Sequence, residues 1–213
     1  GDHDDLAHGV VQVEDILKAG GRHVPAATWL ALGKTYVEVA RSDIHTPTTE
    51  VMLHTVLTMY QQAAAKTPPE VGTLTLLADT YRDLDQKEKA LETLHQAEAL
   101  EPSNVEILLH CGDLEMAMGQ AARAIQHYKT AYSLNPDQTG LRETLIRSYV
   151  NLNQFADAIP LYQQAVAENP NDLDALLGLG FTYEKVNQPA KAAECFKQLF
   201  ASPNCPPEGY LQL

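Results

Sequence analysis

Apolar residues recur along this chain at helical spacing, and they predict a series of short amphipathic helices. In the segment WLALGKTY, Trp29 is followed by Leu, Gly and Tyr at offsets of three, four and seven residues. These offsets place the four side chains on one helix face. Gly inside a helix costs about 1 kcal/mol against Ala. A face that combines the largest and the smallest side chain therefore indicates a helix that a second helix approaches closely, at Gly33.

The prolines show a second regularity. Pro68, Pro102, Pro136 and Pro170 recur every 34 residues, and a period of about 20 to 50 residues is typical of stacked-repeat proteins. Other landmarks keep this register when units are counted from residues 71, 105, 139 and 173. The eleventh positions are Tyr81, Glu115, Tyr149 and Tyr183, the twentieth are Ala90, Ala124, Ala158 and Ala192, and the twenty-fourth are Leu94, Tyr128, Tyr162 and Phe196. Each proline cannot continue a helix and so marks the end of a unit.

These landmarks resemble the tetratricopeptide repeat, whose 34-residue unit reads W-x2-L-G-x2-Y, then A-x3-F, then A and P. WLALGKTY matches the first half of that unit. GLGFTY, with Ala192, Phe196 and Leu199, matches the unit near the C-terminus. The resemblance covers about residues 26–204 and implies an all-α fold. In this family the fold is an α-solenoid of stacked antiparallel helix pairs, which forms a right-handed superhelix with contacts only between neighbouring units.

The register divides the chain into an array and two flanking segments. Five units are expected at 26–70, 71–104, 105–138, 139–172 and 173–204. Residues 1–25 are expected to form a capping helix, or the second helix of a decayed repeat, that ends at Gly20–Gly21. Its apolar face consists of Leu6, Val10, Val13 and Leu17. Residues 205–213 resemble the start of a further helix that is cut short, so we expect the chain to be a piece of a longer protein.

The first unit is longer than the others by 11 residues, which lie between Tyr36 and Tyr60. Thr46–Pro47 is a typical helix start, with Thr as the cap and Pro in the first turn. We therefore expect long helices that end near Arg41 and begin near Pro47, with a short loop between them. The insertion is interpreted either as an extension tolerated at a turn or as a protrusion that forms part of a partner surface.

The charge balance limits the classes of partner. The chain has 15 Lys and Arg against 28 Asp and Glu, a net charge of −13, which opposes binding to nucleic acid and to anionic membranes. No run approaches the roughly 18 apolar residues of a membrane span. The sequence shows no Gly-rich phosphate loop, no nucleophile elbow and no acid–base pair, so neither a cofactor nor enzyme activity is expected.

The cysteines and histidines form no local metal-binding motif. Cys111, Cys195 and Cys205 lack CxxC spacing, and the eight histidines form no HExxH and no HxxxH, so no metal site is expected. Cys111 occupies the seventh position of its unit, where it is predicted to pack in the core. Cys195 and Cys205 could pair only in an oxidising compartment. The compartment stays open, with the cytoplasm favoured over the periplasm.

The resemblance also implies a binding groove, because the first helix of each tetratricopeptide unit lines a concave face. The groove candidates at these positions are Lys34, Asp79, Arg82, Leu109, Asp113, Met116, Glu143, Arg147, Leu177 and Phe181. Together they predict an apolar strip with an acidic border, which suits a peptide with apolar anchors and basic residues. The apolar members are not expected to be needed for stacking. Asp113 and Arg147 are interpreted either as orienting groups for the peptide or as a pair across the groove.

A scaffold that binds another protein is the leading functional hypothesis. The alternatives are the non-catalytic repeat arm of a larger enzyme, such as a glycosyltransferase, and an assembly or self-association module in bacterial secretion or envelope machinery. Phe196 and Leu199 of the last unit are expected to be partly exposed and to favour a homodimer through exposed repeat ends. Glu115 and Arg142 are polar where the family is apolar, and the sequence alone gives no reason for either residue.

Overall fold

The structure is a computed structural model of the 213-residue chain, and it describes residues 24–42, 47–66, 70–138 and 140–202. Over these ranges the chain forms ten α-helices and no strand, which confirms the predicted all-α architecture. The helices are α1 (Ala26–Ser42), α2 (Pro47–Lys66), α3 (Val71–Asp83), α4 (Lys87–Leu100), α5 (Val105–Ala117), α6 (Ala121–Leu134), α7 (Leu141–Asn151), α8 (Phe155–Glu168), α9 (Leu173–Lys185) and α10 (Pro189–Ala201). The predicted capping helix and the segment 205–213 lie outside the described residues.

Four turns between paired helices share one backbone design. Asp85, Asn153 and Asn187 have φ of 55°, 56° and 57°, and Gly119 has φ of 75°, a left-handed conformation that Gly, Asn and Asp tolerate best. The next residue is Gln in each turn, and its N–H donates to the carbonyl five residues earlier at 2.8 Å. This hydrogen bond is the Schellman pattern, which satisfies a carbonyl that the helix end leaves open. The 34-residue period is therefore present in the backbone as well as in the sequence.

The chain divides into two compact units, and the first ends at Gln120. Within this unit each helix from α1 to α5 packs against the next one. Trp29, Met59 and Ala63 form a buried cluster between α1 and α2. A second cluster joins α3, α4 and α5 and includes Leu74, Ala78, Leu94, Ile107 and Cys111. The burial of Cys111 confirms its predicted place in the core, and α1 and α2 end and begin within one residue of the predicted positions.

The close approach predicted at Gly33 is present between α1 and α2. A Cβ atom added at Gly33 would overlap the ring of Tyr60, and both Trp29 and Tyr60 are fully buried. Gly180 on α9 meets the ring of Phe196 on α10 in the same way. In both pairs the eighth residue of the unit has no side chain, and an aromatic ring from the second helix fills that space.

The second unit begins at Ala121 and consists of α6 to α10, each packed against the next. Its core includes Leu179, Tyr183, Ala192 and Cys195. The expectation that Leu199 is partly exposed is wrong, because Leu199 is completely buried. The neighbouring Phe200 is the exposed residue instead, at 60 %. The difference arises because the inward face of α10 runs through Ala192, Cys195 and Leu199, and Phe200, the next residue, is turned about 100° away from Leu199 around the helix.

Tyr81 and Tyr183, two of the tyrosines at the eleventh position of a repeat, make the same two contacts. Gln61 Nε2 donates to the Tyr81 hydroxyl at 2.9 Å, and Gln163 Nε2 donates to the Tyr183 hydroxyl at 2.8 Å. The ammonium groups of Lys89 and Lys191 lie 5.7 and 5.3 Å from the centres of the same two rings, within the range of a cation–π interaction. Each of these two tyrosines thus connects its own repeat to the preceding repeat.

Arg142, which the sequence left without a reason, belongs to a polar network in the second unit. Its Nη2 lies 2.7 Å from Glu168 Oε2. Gln164 Nε2 donates to Glu168 Oε1 at 3.0 Å, and the Tyr132 hydroxyl donates to Gln164 Oε1 at 2.9 Å. The network connects α6, α7 and α8. Arg142 therefore replaces apolar packing with a charge-assisted contact to the end of α8.

Replacing Gly33 with Val should destabilise the protein, because the new side chain would displace the Tyr60 ring from a fully packed site. We expect a loss of about 1–3 kcal/mol in the free energy of unfolding. Gly72 is the matched control, since a Cβ atom there would meet nothing within 4 Å. Urea denaturation should show Gly72→Val close to wild type and Gly33→Val clearly weaker. Equal midpoints for the two variants would contradict the crossing at Gly33.

Replacing Glu168 with Gln should change how stability depends on pH. The hydrogen bonds from Arg142 and Gln164 hold the pKa of Glu168 below its usual 4.5. A carboxyl whose pKa is lowered by folding stabilises the protein above its usual pKa, and this contribution disappears as the pH falls through the lowered value. Glu168→Gln should thus lower the melting temperature at neutral pH and approach wild type below pH 4.5. Glu184→Gln, on the exposed surface of α9, is the control and should not show this convergence.

Candidate functional site

A cleft opens in the first unit between α3 and α5, with α4 at its base. Its volume is about 90 Å³. The residues that line it are Ala78, Asp79 and Arg82 from α3, Lys87 and Leu94 from α4, and His110, Asp113, Leu114 and Ala117 from α5. Since α3 and α5 are the first helices of successive repeats, their equivalent positions face the same cleft. Asp79 and Asp113, each at the ninth position, both line it.

The size and walls of the cleft suit one side chain. Small-molecule sites usually measure about 300–1,000 Å³, which is several times the 90 Å³ found here. The buried side chains of Ala78, Leu94 and Leu114 form the apolar part of the wall. The charged lining residues Arg82 and Asp113 are exposed. Such a cleft can hold an apolar group of a partner and offer hydrogen bonds to the backbone beside it.

The charges around the cleft are more balanced than the sequence predicts. Asp79 Oδ1 lies 2.9 Å from Arg82 Nη2, and these side chains are 28 % and 45 % exposed. Lys87 contributes a second cation to the lining and pairs with Asp85 at 3.1 Å. Exposed pairs of this kind contribute only about 0–1 kcal/mol to stability, so a charged partner could displace either contact at small cost. Asp113 is the exposed carboxylate of the α5 wall.

The structure brings together three of the ten predicted groove residues in this cleft: Asp79, Arg82 and Asp113. Lys34 is exposed on α1, whereas Leu109 and Met116 are half-buried on α5 and are not among the residues that line the cleft. The prediction missed Lys87 and Leu94, because the family's groove pattern includes only the first helix of each unit. Ala117 occupies the thirteenth position of its unit, which does belong to that pattern, so the pattern itself could have identified it.

The four remaining candidates lie in the second unit. Glu143 and Arg147 are exposed on α7, and Leu177 and Phe181 are half-buried on α9. The ring of Phe181 packs edge-on against Phe196, with 5.6 Å between centroids and 69° between planes. Phe181 therefore contributes to the packing of α9 on α10, contrary to the expectation that such residues are not needed for stacking. An interaction between Asp113 and Arg147, which belong to different units, stays a prediction.

Groups with metal-binding chemistry also meet in the first unit. The ligand atoms of His95, Glu98 and Cys111 all lie within 4.8 Å of one another. Cys111 is fully buried, and burial together with the charges of Glu98 and Glu115 raises the pKa of its thiol to about 12. Glu115 is itself only 1 % exposed. None of these four residues lines the cleft.

Among the helices that the structure describes, none has the length and apolar character to cross a membrane.

Comparisons with known proteins identify the same repeat family as the sequence landmarks. Tetratricopeptide-repeat family models match residues 71–104, 115–161 and 153–204. Solved structures of MamA share the fold, and MamA AMB-1 is 18 % identical with a TM-score of 0.63 over 82 % of this chain and 90 % of that one. Another MamA structure is 21 % identical, with a TM-score of 0.58 over 79 % of this chain and 90 % of that one. The comparison with curated proteins finds no match. Together these findings confirm the predicted class, an all-α tetratricopeptide-repeat solenoid.

Replacing Phe181 with Ala should measurably reduce stability, because it removes the edge-on contact with Phe196. Aromatic pairs of this kind contribute about 0.5–1.5 kcal/mol beyond the area that they bury. Phe181→Leu keeps much of the apolar volume and should recover part of the loss. Thermal unfolding should therefore rank the proteins as wild type, Leu variant, Ala variant. An Ala variant as stable as wild type would mean that Phe181 serves the groove alone.

Proposed function

The chain belongs to the tetratricopeptide-repeat family, and on that basis we propose that it is a scaffold that binds a segment of another protein in the cleft between α3 and α5. Stacked-repeat proteins commonly use the surface formed by successive repeats to bind proteins or peptides, typically without catalysis. The two walls of this cleft come from successive repeats in the same way. The proposed binding surface therefore lies where the second and third repeats meet.

The single observation that supports the proposal best is the combination of apolar wall and polar rim at one place. Leu94 and Leu114 are buried behind the cleft, whereas Arg82 and Asp113 are exposed at its edge. Binding energy in peptide complexes is concentrated in a few anchors that enter such clefts and are surrounded by polar groups that exclude water. We infer that one apolar side chain of the partner occupies the cleft.

The charged rim sets the expected chemistry of the residues beside that anchor. Asp79 is paired with Arg82 on the α3 wall. Asp113 on the α5 wall is exposed and lines the cleft, so its carboxylate is accessible to a basic residue of the partner. The net charge of −13 favours a basic partner at long range as well. The proposed ligand is a segment with one apolar anchor and a Lys or Arg close to it.

Blocking the cleft tests this proposal directly. Peptides that bind the folded protein are first selected from a random phage-displayed library, and their affinities are then measured by calorimetry. Ala117 is exposed and lines the cleft, so Ala117→Phe should fill the cleft while changing stability by no more than about 0.5 kcal/mol. We expect at least tenfold weaker binding, which corresponds to about 1.4 kcal/mol. Ala99→Phe, at an exposed site on α4 outside the lining, is the matched control and should bind as wild type does.

A charge variant distinguishes the contribution of the charged rim to binding from the contribution of the apolar anchor. Asp113→Asn should weaken the selected peptides that carry Lys or Arg beside the anchor and leave neutral peptides unchanged, since rim charges set specificity. Circular dichroism of each variant checks that the helices are intact. If the selected peptides bind the Ala117→Phe and Ala99→Phe variants equally well, the cleft is not the binding surface.

A further inference from the structure

His95, Glu98 and Cys111 form a cluster that the scaffold function does not use. His95 and Glu98 are three residues apart on α4 and so lie on one face of that helix. Cys111 lies on α5, which packs against α4. Their imidazole nitrogen, carboxylate oxygen and sulfur atoms lie within 4.8 Å of one another. We propose that these three side chains bind a divalent transition metal ion, and that Zn²⁺ is the ion that fits them best.

The ligand set supports a zinc-like ion. Cysteine sulfur, histidine nitrogen and a carboxylate oxygen are the protein ligands of Zn²⁺, at about 2.3, 2.0 and 2.0–2.2 Å. Atoms around one such ion are therefore about 3–4 Å apart. The observed separations of up to 4.8 Å need to close by only about 1 Å. His95 is exposed and Glu98 is half-buried, so side-chain rotation is sufficient for this movement, whereas Cys111 is fixed in the core. Magnesium and calcium, which prefer oxygen ligands alone, fit the cluster poorly.

The charges around Cys111 also favour a cation. The sulfur is fully buried, and Glu98 and Glu115 add negative charge around it. When the ion binds, the thiol releases its proton to solvent and the thiolate forms the metal–sulfur bond. One thiolate and the Glu98 carboxylate together then balance the two positive charges of the ion. This balance matters because an uncompensated charge is costly in a buried place.

Comparison among the repeats shows that the cluster is a local departure from the repeat pattern. At the position of Cys111 the other repeats all carry leucine, which is half-buried at Leu32 and buried at Leu77, Leu145 and Leu179. At the position of Glu98 they carry Ala64, Tyr132, Val166 and Phe200, and at the position of His95 they carry Gln61, Lys129, Gln163 and Lys197. Stacking therefore needs none of the three ligand types. His95, Glu98 and Cys111 thus all depart from the repeat pattern at the contact between α4 and α5, and the fold alone does not explain this coincidence.

This site also explains why sequence motifs gave no metal signal. Known short motifs place two ligands within one or two helix turns and repeat the Cys or His. Here α4 supplies one His and one Glu, and the Cys follows 16 residues after His95 on another helix. The expectation of no metal site rested on local spacing, which does not detect ligands that packing brings together.

Cobalt is the probe for the test, because Co²⁺ replaces Zn²⁺ in such sites and its bond to a thiolate gives a charge-transfer absorption band. The full chain, freed of metal with a chelator, is titrated with Co²⁺ and then with Zn²⁺. Wild type should develop the thiolate band, and Zn²⁺ should abolish it by displacement. Zn²⁺ should also raise the melting temperature, since an ion that binds only the folded state stabilises it.

Substitutions test which side chains bind the metal ion. Cys111→Ala should abolish the charge-transfer band, and His95→Gln should weaken Zn²⁺ binding at least tenfold, since even loss of an outer partner of a metal ligand costs about 10–100-fold. The matched controls are Cys195→Ala, a second buried cysteine, and His54→Gln, an exposed histidine on α2. Both controls, together with Cys205→Ser, should bind as wild type does.

The outcomes decide the proposal in either direction. Absence of the thiolate band in wild type, or its survival in Cys111→Ala, would overturn the assignment of Cys111 as a ligand. If Cys111→Ala is not folded by circular dichroism, His95→Gln decides alone, because His95 is exposed and its replacement should leave the helices intact. Unchanged Zn²⁺ affinity in folded His95→Gln would overturn the site.

Discussion

Burial of one helix by the next is the constraint on which the whole structure depends. Each helix has a single apolar face, and no helix can remove that face from water alone. The contact is close because small residues occupy its centre: Ala90, Ala158 and Ala192 at the twentieth position are almost completely buried. Gly33 provides the same close approach to the Tyr60 ring from the other helix of the pair. A larger residue at any of these points would separate the helices and expose the faces that stacking covers.

Polar contacts are added to this apolar packing at fixed places in the register. At the eleventh position, Tyr81 and Tyr183 each accept a hydrogen bond from the preceding repeat. In the third repeat that position is Glu115, a carboxylate that is 1 % exposed. A buried carboxylate is costlier than a tyrosine at the same place. Glu115 lies four residues after Cys111 on α5, and Cys111 stands where the other repeats carry leucine. Two neighbouring core positions of α5 therefore differ in polarity from their equivalents in the other repeats.

Much of the fold could be predicted from the sequence, because the features that fix it are local and recur. Periodic apolar positions and prolines gave the helices, and Thr46–Pro47 gave the start of α2 correctly. Contacts between distant positions were not predictable in this way. Arg142 meets Glu168, which is 26 residues later in the chain, and Leu94 contributes to the cleft from a helix that the groove pattern leaves out. Such contacts depend on how neighbouring helices rotate against each other, and apolar periodicity does not determine that rotation to within one side chain.

The electrostatics of the cleft differ from those of the chain as a whole, and the two act at different ranges. The net charge of −13 attracts cationic partners from a distance, although salt screens exposed charges beyond about 8 Å at physiological ionic strength. Within the cleft, Arg82 already neutralises Asp79, and Lys87 adds a further positive charge. Under the proposed function, attraction of a basic partner therefore belongs to the overall charge, whereas selection among partners depends on the cleft. We therefore expect a basic segment without an apolar anchor to gain the first contribution only and to associate weakly and in a salt-sensitive way.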